Sequence, residues 1–535
     1  MRMSWQEEPT VRVHLTAPAA RDSARRAVAV GAVLAAAAFA MPMHSSGSTA
    51  TTSVGSSALV RAVVLVRPGV QLPLRVPGGR VVQSFSHVGS ELVRAPMSAL
   101  TALAHDVRVA GVSPDFAGRV TGTSYSGGSG VLGPAAVGGD AGKKGVGYHV
   151  NVALLDTGLT DTPALNRASG RITDGVDVSR LATGGDARTS GKFTDGYGHG
   201  TFLATLIAGG RERSGGPVVG IAPAARIVVV KVADDRGRTT LSQVLAGMDW
   251  VAAHARAIQV VNLALSVERP TAPAYGADPL TAAVEHVRAD GVLAVVAAGN
   301  KPKEVGDPGM DPQALTVGAA DVTTSHPTVA SFSGRGTVAG VSKPDVVAPG
   351  VHMLGVMPTG SYIYKKHPEG RAAGGLFKGS GTSEATAVAS GVAAAYFSHN
   401  LEAAPKQAKA AVRDAARTIH KSGSGQGLVQ MVGASGANAP QSDAGESKFN
   451  AKSWNDNAWQ GGNWADWLAS SWSASSWSAS SWSASSWSAS SWSASSWSAS
   501  SWSASSWSAS SWSASSWSAS SWSASSWSAY GWGNR

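Results

Sequence analysis

The sequence predicts an α/β fold, a mostly parallel sheet with helices on both faces, and three observations carry that reading. Five apolar runs, at 150–155, 227–232, 260–265, 292–297 and 315–319, have strand length. They are apolar throughout instead of alternating, the pattern of strands buried on both faces. Helical segments at 241–254 and 279–290 separate some of these runs, as crossovers between parallel strands require. In such a sheet ligands bind beyond the carboxyl ends of the strands, so the residues that carry chemistry are sought there.

The chain has 535 residues, enough for one large domain with extensions. It has no cysteine, which excludes disulfides, thiolate metal sites and a cysteine nucleophile. The net charge of +10 is uneven: residues 1–130 hold 12 Arg and Lys against 6 Asp and Glu. No basic stripe interleaved with aromatics runs through the central region, so nucleic acid is not an expected partner.

Arginines up to Arg25 and Arg26 precede an apolar run at 27–40 that closes on Ala38-Phe39-Ala40, the layout of a signal peptide over 1–40. The run is too short and too alanine-rich for a stable membrane span. Export follows, by either the Sec or the twin-arginine route. Residues 41–57 are a Ser/Thr/Gly-rich linker. A small α+β unit at 58–120 has strands at 60–66 and 80–85, a helix at 98–105 and an extended segment at 107–115. Its position between signal and main unit suggests a propeptide. A second Gly/Ser-rich linker at 121–145 offers an accessible place for cleavage. The large unit spans 146–433 and closes with helices from Ser383 to about 399 and at 405–419, then a turn and short strand at 425–429. Residues 434–535 form a linker and a Trp/Ser-rich tail.

Four positions at strand ends or helix starts carry the candidate chemistry. Asp156 follows the first strand in Asp156-Thr157-Gly158. It could simply cap a turn; an aspartic peptidase also uses Asp-Thr-Gly, but needs a second such carboxylate, which the chain lacks. His199 opens an apolar helix from Gly198-His199-Gly200-Thr201, with no partner at zinc-binding spacing. Asn300 follows the strand at 292–297 through Ala298-Gly299, where a side-chain amide can donate to an oxyanion. Ser383, in Gly381-Thr382-Ser383, starts a helix of small residues, among unpaired N–H groups and the positive end of the helix dipole. The same tripeptide at Gly122-Thr123-Ser124 has no helix after it, so that motif alone is weak.

Together, the order Asp, His, Asn, Ser and the motifs Asp156-Thr157-Gly158, His199-Gly200-Thr201, Ala298-Gly299-Asn300 and Gly381-Thr382-Ser383 resemble the subtilisin-like serine peptidase family, peptidase S8, over about residues 131–433. The resemblance implies a serine endopeptidase in which Ser383 attacks the scissile carbonyl, His199 moves the proton and Asp156 orients the imidazole. Asn300 and a backbone N–H near Ser383 then form the oxyanion hole. Protein or peptide substrates would add as a strand along Ala264-Leu265-Ser266, beside Ala298 and Gly299. No cofactor is required by the resemblance; it allows calcium without assigning ligands. It further implies a propeptide that inhibits its own chain and is removed by self-cleavage between about 120 and 145, leaving an extracellular or surface-associated monomer. Three departures stand out. Ala264-Leu265-Ser266 replaces a frequent Ser-Leu-Gly, Phe202 a common histidine and Glu384 a frequent methionine. A carboxylate pointing inward would oppose the oxyanion, so Glu384 is expected to face away and interact with the helix dipole.

In the tail, Ser-Ser-Trp-Ser-Ala repeats twelve times, with tryptophans from Trp472 to Trp527. Five residues advance a helix by about 500° and alternate the faces of a strand, so neither element makes one tryptophan stripe. A disordered serine-rich tail is expected, whose indoles could stack on cell-surface glycans or wall material. The rival function class is a surface-binding or adhesive protein with an inactive peptidase-like scaffold.

Overall fold

The structure is a computed structural model. It describes residues 59–432 except 121, 123, 211–215, 268, 270–273 and 420, then 445–455 and the backbone of ten short strands between 473 and 529. The expected signal peptide at 1–40 and the linker at 41–57 lie outside the described residues.

Strands β1 (Val60–Val66), β2 (Arg80–Phe85), β3 (Ser90–Ala95), helix α1 (Met97–Ala104) and β4 (Val109–Pro114) form the N-terminal unit. Its antiparallel sheet has the order β2-β3-β1-β4. Alternation along β1 sets its two faces. Ala62, Val64 and Val66 pack with Leu100 and Leu103 of α1. Val63 turns the other way and, with Phe85 and Leu92, joins the core of the larger unit. Sequence reading missed β3, where Ser90, Glu91 and Arg94 interrupt the apolar pattern. After Pro114 the chain continues into β5 (Ala117–Val120) and then α2 (Gly133–Val137).

The larger unit is built from β6 (Asn151–Asp156), β7 (Ile172–Asp177), α3 (His199–Ala208), β8 (Arg226–Lys231), β9 (Arg238–Thr240), α4 (Leu241–Ala253), β10 (Val260–Leu263), β11 (Leu265–Val267), α5 (Pro279–Ala289), β12 (Leu293–Ala297), β13 (Leu315–Asp321) and β14 (Thr328–Val329). Strands β15 (Gly336–Val338), β16 (Val341–Lys343), β17 (Val346–Pro349), β18 (Met353–Gly355), helix α6 (Tyr362–Lys366), β19 (Phe377–Gly379), α7 (Thr382–His399) and α8 (Pro405–Asp414) complete it. The eight-stranded sheet runs β14-β13-β12-β10-β6-β8-β7, with β17 also on β13, and every pairing except β13 with β14 is parallel. Along β6, Val152 and Leu154 face the core that holds α3, α7 and α8, while Ala153 and Leu155 face the one that holds α4 and α5. The expected α/β architecture is thus present.

The differences from expectation have local causes. The apolar run at 260–265 is broken at Ala264, so β10 stays in the main sheet and β11 pairs with β5 instead. The helix expected at 405–419 stops at Asp414, because Arg417 is drawn into a bridge with Leu428. The large unit was expected to end at 433, yet residues 445–455 pack back on it. Glu446 lies 3.5 Å from Arg288 and 3.9 Å from Lys409, and Trp454 of α9 (Ala451–Asn455) packs at a tilt against Tyr275 and edge-on against Phe449. The first tail tryptophan is therefore an anchor.

In the tail the described strands pair in parallel at a register of 20 residues, Trp477 opposite Trp497 and Trp497 opposite Trp517. Where a disordered tail was expected, the described strands pair with strands 20 residues, or four pentapeptides, further on, which sets equivalent residues opposite one another. A single strand or helix cannot do this. Among the described residues no helix is long and apolar enough to cross a membrane.

Candidate active site

Asp156 is the last residue of β6, a central strand of the sheet, and is fully buried. Both carboxylate oxygens lie 2.9 Å from His199 Nδ1, and Thr157 N donates to Oδ1 at 2.8 Å. His199 is the first residue of α3. The helix comes this close because Gly200 has no side chain: a Cβ there would lie 2.3 Å from the Gly158 carbonyl and 3.2 Å from Asp156 Cβ. Burial by itself would depress the imidazole pKa; the charge and hydrogen bond of Asp156 outweigh it and leave it raised. Nδ1 is thus committed to Asp156, which puts Nε2 on the far side, where it has no hydrogen-bond partner among the described residues.

A second carboxylate holds this pair in place. Asp195 accepts from Thr157 Oγ1 at 2.8 Å, Gly198 N at 2.6 Å and Thr201 N and Oγ1 at 2.8 Å each, tying the β6 loop to the first turn of α3. Sequence reading missed its role. The available signal was its place four residues before His199 among glycines, as a residue that caps a helix start.

Ser383 sits in the first turn of α7, fully buried, and its Oγ donates to the Ala264 carbonyl at 3.1 Å. Ala264 stands at the carboxyl end of β10, which is a neighbour of β6. Asn300 follows β12 on the other side of β10. Its Oδ1 accepts from Thr382 N and Oγ1 at 2.9 Å each, which fixes the amide and turns its NH2 end away from Thr382. Asp156, Ala264 and Asn300 therefore project from one end of three adjacent strands, and α3 and α7 bring His199 and Ser383 to that end.

The groove beside these groups holds a segment of the chain itself. Strand β5 lies between β11 and β9 in an antiparallel three-stranded sheet, with Val120 opposite Leu265 and Arg119 opposite Ser266. Val120 N also donates to the Gly237 carbonyl at 3.1 Å. The chain is next held at Ser124, whose carbonyl accepts from Ser380 N at 2.9 Å. The β9 edge was not foreseen, since Arg238-Thr239-Thr240 has no apolar signal. Ala298 and Gly299 have a different place from Leu265 and Ser266. The Ala298 carbonyl accepts from Gly306 N at 3.0 Å and the Gly299 carbonyl from Gly334 N at 2.8 Å. Both carbonyls are thus taken up by neighbouring loops of the large unit.

Glu384 departs from expectation. It does not face outward: it is 1 % exposed, in the first turn of α7 directly after Ser383. For calcium, no group of three or more His, Asp or Glu side chains that could hold a metal ion is assembled among the described residues.

A sheet of this topology, with an imidazole–carboxylate pair, a helix-start serine and an anchored amide at its carboxyl end, defines the subtilisin-like class of proteins. The chain belongs to the subtilase family: residues 147–435 match that family, Peptidase_S8. Serine protease AprX of Bacillus subtilis (strain 168) is 33% identical over 276 residues, 49% of this chain and 60% of AprX, so the match spans three fifths of that relative's length. Subtilisin E of the same organism is 30% identical over 344 residues, 63% of this chain and 77% of its own length. The crystal structure of fervidolysin from Fervidobacterium pennivorans matches in fold, with a TM-score of 0.54 at 21% identity over 72% of this chain and 61% of that one.

Proposed function

We propose that the chain is an exported serine endopeptidase made as a self-inhibited precursor. The observation that carries this reading is the Asp156–His199 pair at 2.9 Å, with Nε2 unpartnered among the described residues, beside a helix-start serine and an amide whose donor end is set by Thr382. Ser383 Oγ attacks the scissile carbonyl as its proton passes to His199 Nε2; Asp156 holds the imidazole in the required tautomer and stabilises the imidazolium. The Asn300 amide and backbone N–H groups of the α7 first turn receive the negative charge on the carbonyl oxygen. The imidazolium then returns the proton to the leaving amine, and water hydrolyses the acyl-enzyme by the same route.

Substrate is a protein or peptide that binds as a strand between β11 and β9, where β5 lies in the precursor. Residues 58–120 act as an intramolecular inhibitor, and the enzyme cuts its own chain between Val120, which pairs with Leu265, and Ser124, which pairs with Ser380. The released enzyme works as a monomer outside the cell, and the tail retains it on surface glycans or wall. A fluorophosphonate probe tests the catalytic assignment. Labelling of Ser383 that disappears in His199→Ala is the expected result; processed protein that takes no label would favour an inactive adhesive scaffold.

A further inference from the structure

Glu384 is enclosed in a way that bears on the nucleophile beside it. A Cβ at Gly379 would meet Glu384 Oε1 at 2.7 Å and the Phe202 ring at 2.8 Å, so the carboxyl lies in a narrow slot between β19 and α3. Oε2 is buried without a hydrogen-bond partner, and no salt bridge to Glu384 is present among the described residues. Residue 202 could have offered a polar partner, but here it is phenylalanine. The titratable groups that face Glu384 are His199 from α3, Asp156 from β6 and the Tyr125 phenol from the segment before α2. Of these only His199 can carry a positive charge.

A buried carboxyl with one oxygen unpartnered favours its neutral form. Burial pushes Glu384 from the usual 4.5 to about 7, against the opposing pull of His199. The coupling is mutual, because a Glu384 carboxylate favours the imidazolium of His199. We propose that Glu384 controls the Ser383 centre through its own proton. As a neutral acid it leaves the oxyanion site uncharged; as a carboxylate it opposes the oxyanion and holds the proton on His199. Glu384 is a positioning residue in this scheme, acting on the reaction through its field and through His199. The inference rests on Ser383 being the nucleophile.

The test is the pH dependence of kcat/KM on a small chromogenic peptide from pH 5 to 10, for processed wild type and Glu384→Gln, with the rate of fluorophosphonate labelling in parallel. Wild type should pass through a maximum near neutrality and decline by roughly tenfold above it, the effect of one like charge beside the oxyanion. In Glu384→Gln, which mimics the neutral acid, the alkaline decline should vanish while the acid limb, set by His199 with residue 384 uncharged, stays nearly in place. An alkaline limb that is the same in the two proteins would overturn the inference while leaving the peptidase reading intact. If the variant fails to fold, wild type alone decides, because a profile that stays level from pH 7 to 9 is incompatible with the proposal. Absence of labelling at every pH would overturn the peptidase reading, and this inference with it.

Discussion

At the scale of single residues, each catalytic candidate is held by bonds that leave one functional atom directed elsewhere. Asp156 takes Nδ1 of His199, and Thr382 takes Oδ1 of Asn300. Asp156→Asn should therefore lower kcat steeply by favouring the wrong imidazole tautomer, with little change in KM. Asn300→Ala should cost about 100- to 1,000-fold in kcat, the established magnitude for loss of the oxyanion amide in subtilisin. These residues were legible because each stands in a glycine-framed motif at a strand end or helix start. The direction of Glu384 was not legible, nor was the tie from Asp195 to Thr157, since both depend on how segments distant in sequence meet. Glu384 also affects stability. Its carboxyl pKa is raised in the folded protein, so the folded state holds more protons than the unfolded one between pH 4.5 and about 7, and stability falls as pH rises through that window. In a Ser383→Ala background, which prevents autolysis, Glu384→Gln should gain about 3 kcal/mol relative to the parent at pH 8.5. It should gain little below pH 4.5, and chemical denaturation at the two pH values measures the difference.

At the scale of elements, the N-terminal unit and the large unit share structure at particular points. Asp115 accepts from Arg61 Nη2 at 2.9 Å and from Ser242 N and Oγ at 2.8 Å each, so a carboxylate of the N-terminal unit caps the start of α4. Asp115→Ala should weaken this docking by about 1–2 kcal/mol and slow maturation of the precursor, read as the rate at which full-length protein disappears after refolding. A second element-level feature is the turn between β16 and β17, where Asp345 lies 2.8 Å from Lys343 and 3.8 Å from Lys409, all three buried. Burial alone would raise the Asp345 pKa, but the two ammonium groups outweigh it and hold it below the usual carboxylate range. Its contribution is present above the unfolded-state pKa and lost as pH falls through the lowered folded value. Asp345→Ala leaves two buried cations and should destabilise by about 3–5 kcal/mol, measured by urea unfolding. The apolar strands of the main sheet and β1 were readable because burial on both faces demands continuous apolar sequence. By contrast β7, with Asp174 and Gly175, and β9, with three polar residues, owe their strand form to neighbours that pair with them.

At the scale of the whole molecule, the order of the chain matches the order of the maturation proposed above. The unit at 60–114 packs its second face on the large unit, β5 then fills the groove, and the chain is held again at Ser124 beside Ser380. Beyond the catalytic unit, Trp454 is fixed against Tyr275 while the later tryptophans recur at a 20-residue register. Removing residues 456–535 should thus preserve folding and activity but release the protein from the cell surface; unchanged surface retention after that deletion would exclude the tail as the retaining element. The tail's strand pairing was not legible from its five-residue period alone, because the register of 20 residues is set by pairing between strands distant in sequence. Maturation in this scheme turns on one event, the cut that Ser383 makes in the chain held in its own groove. N-terminal sequencing and intact mass of purified, refolded wild type and Ser383→Ala would detect that cut. A new terminus between Val120 and Ser124 is expected in wild type, and an uncut chain in Ser383→Ala. Cleavage at the same place and rate in Ser383→Ala would show that another group makes the cut.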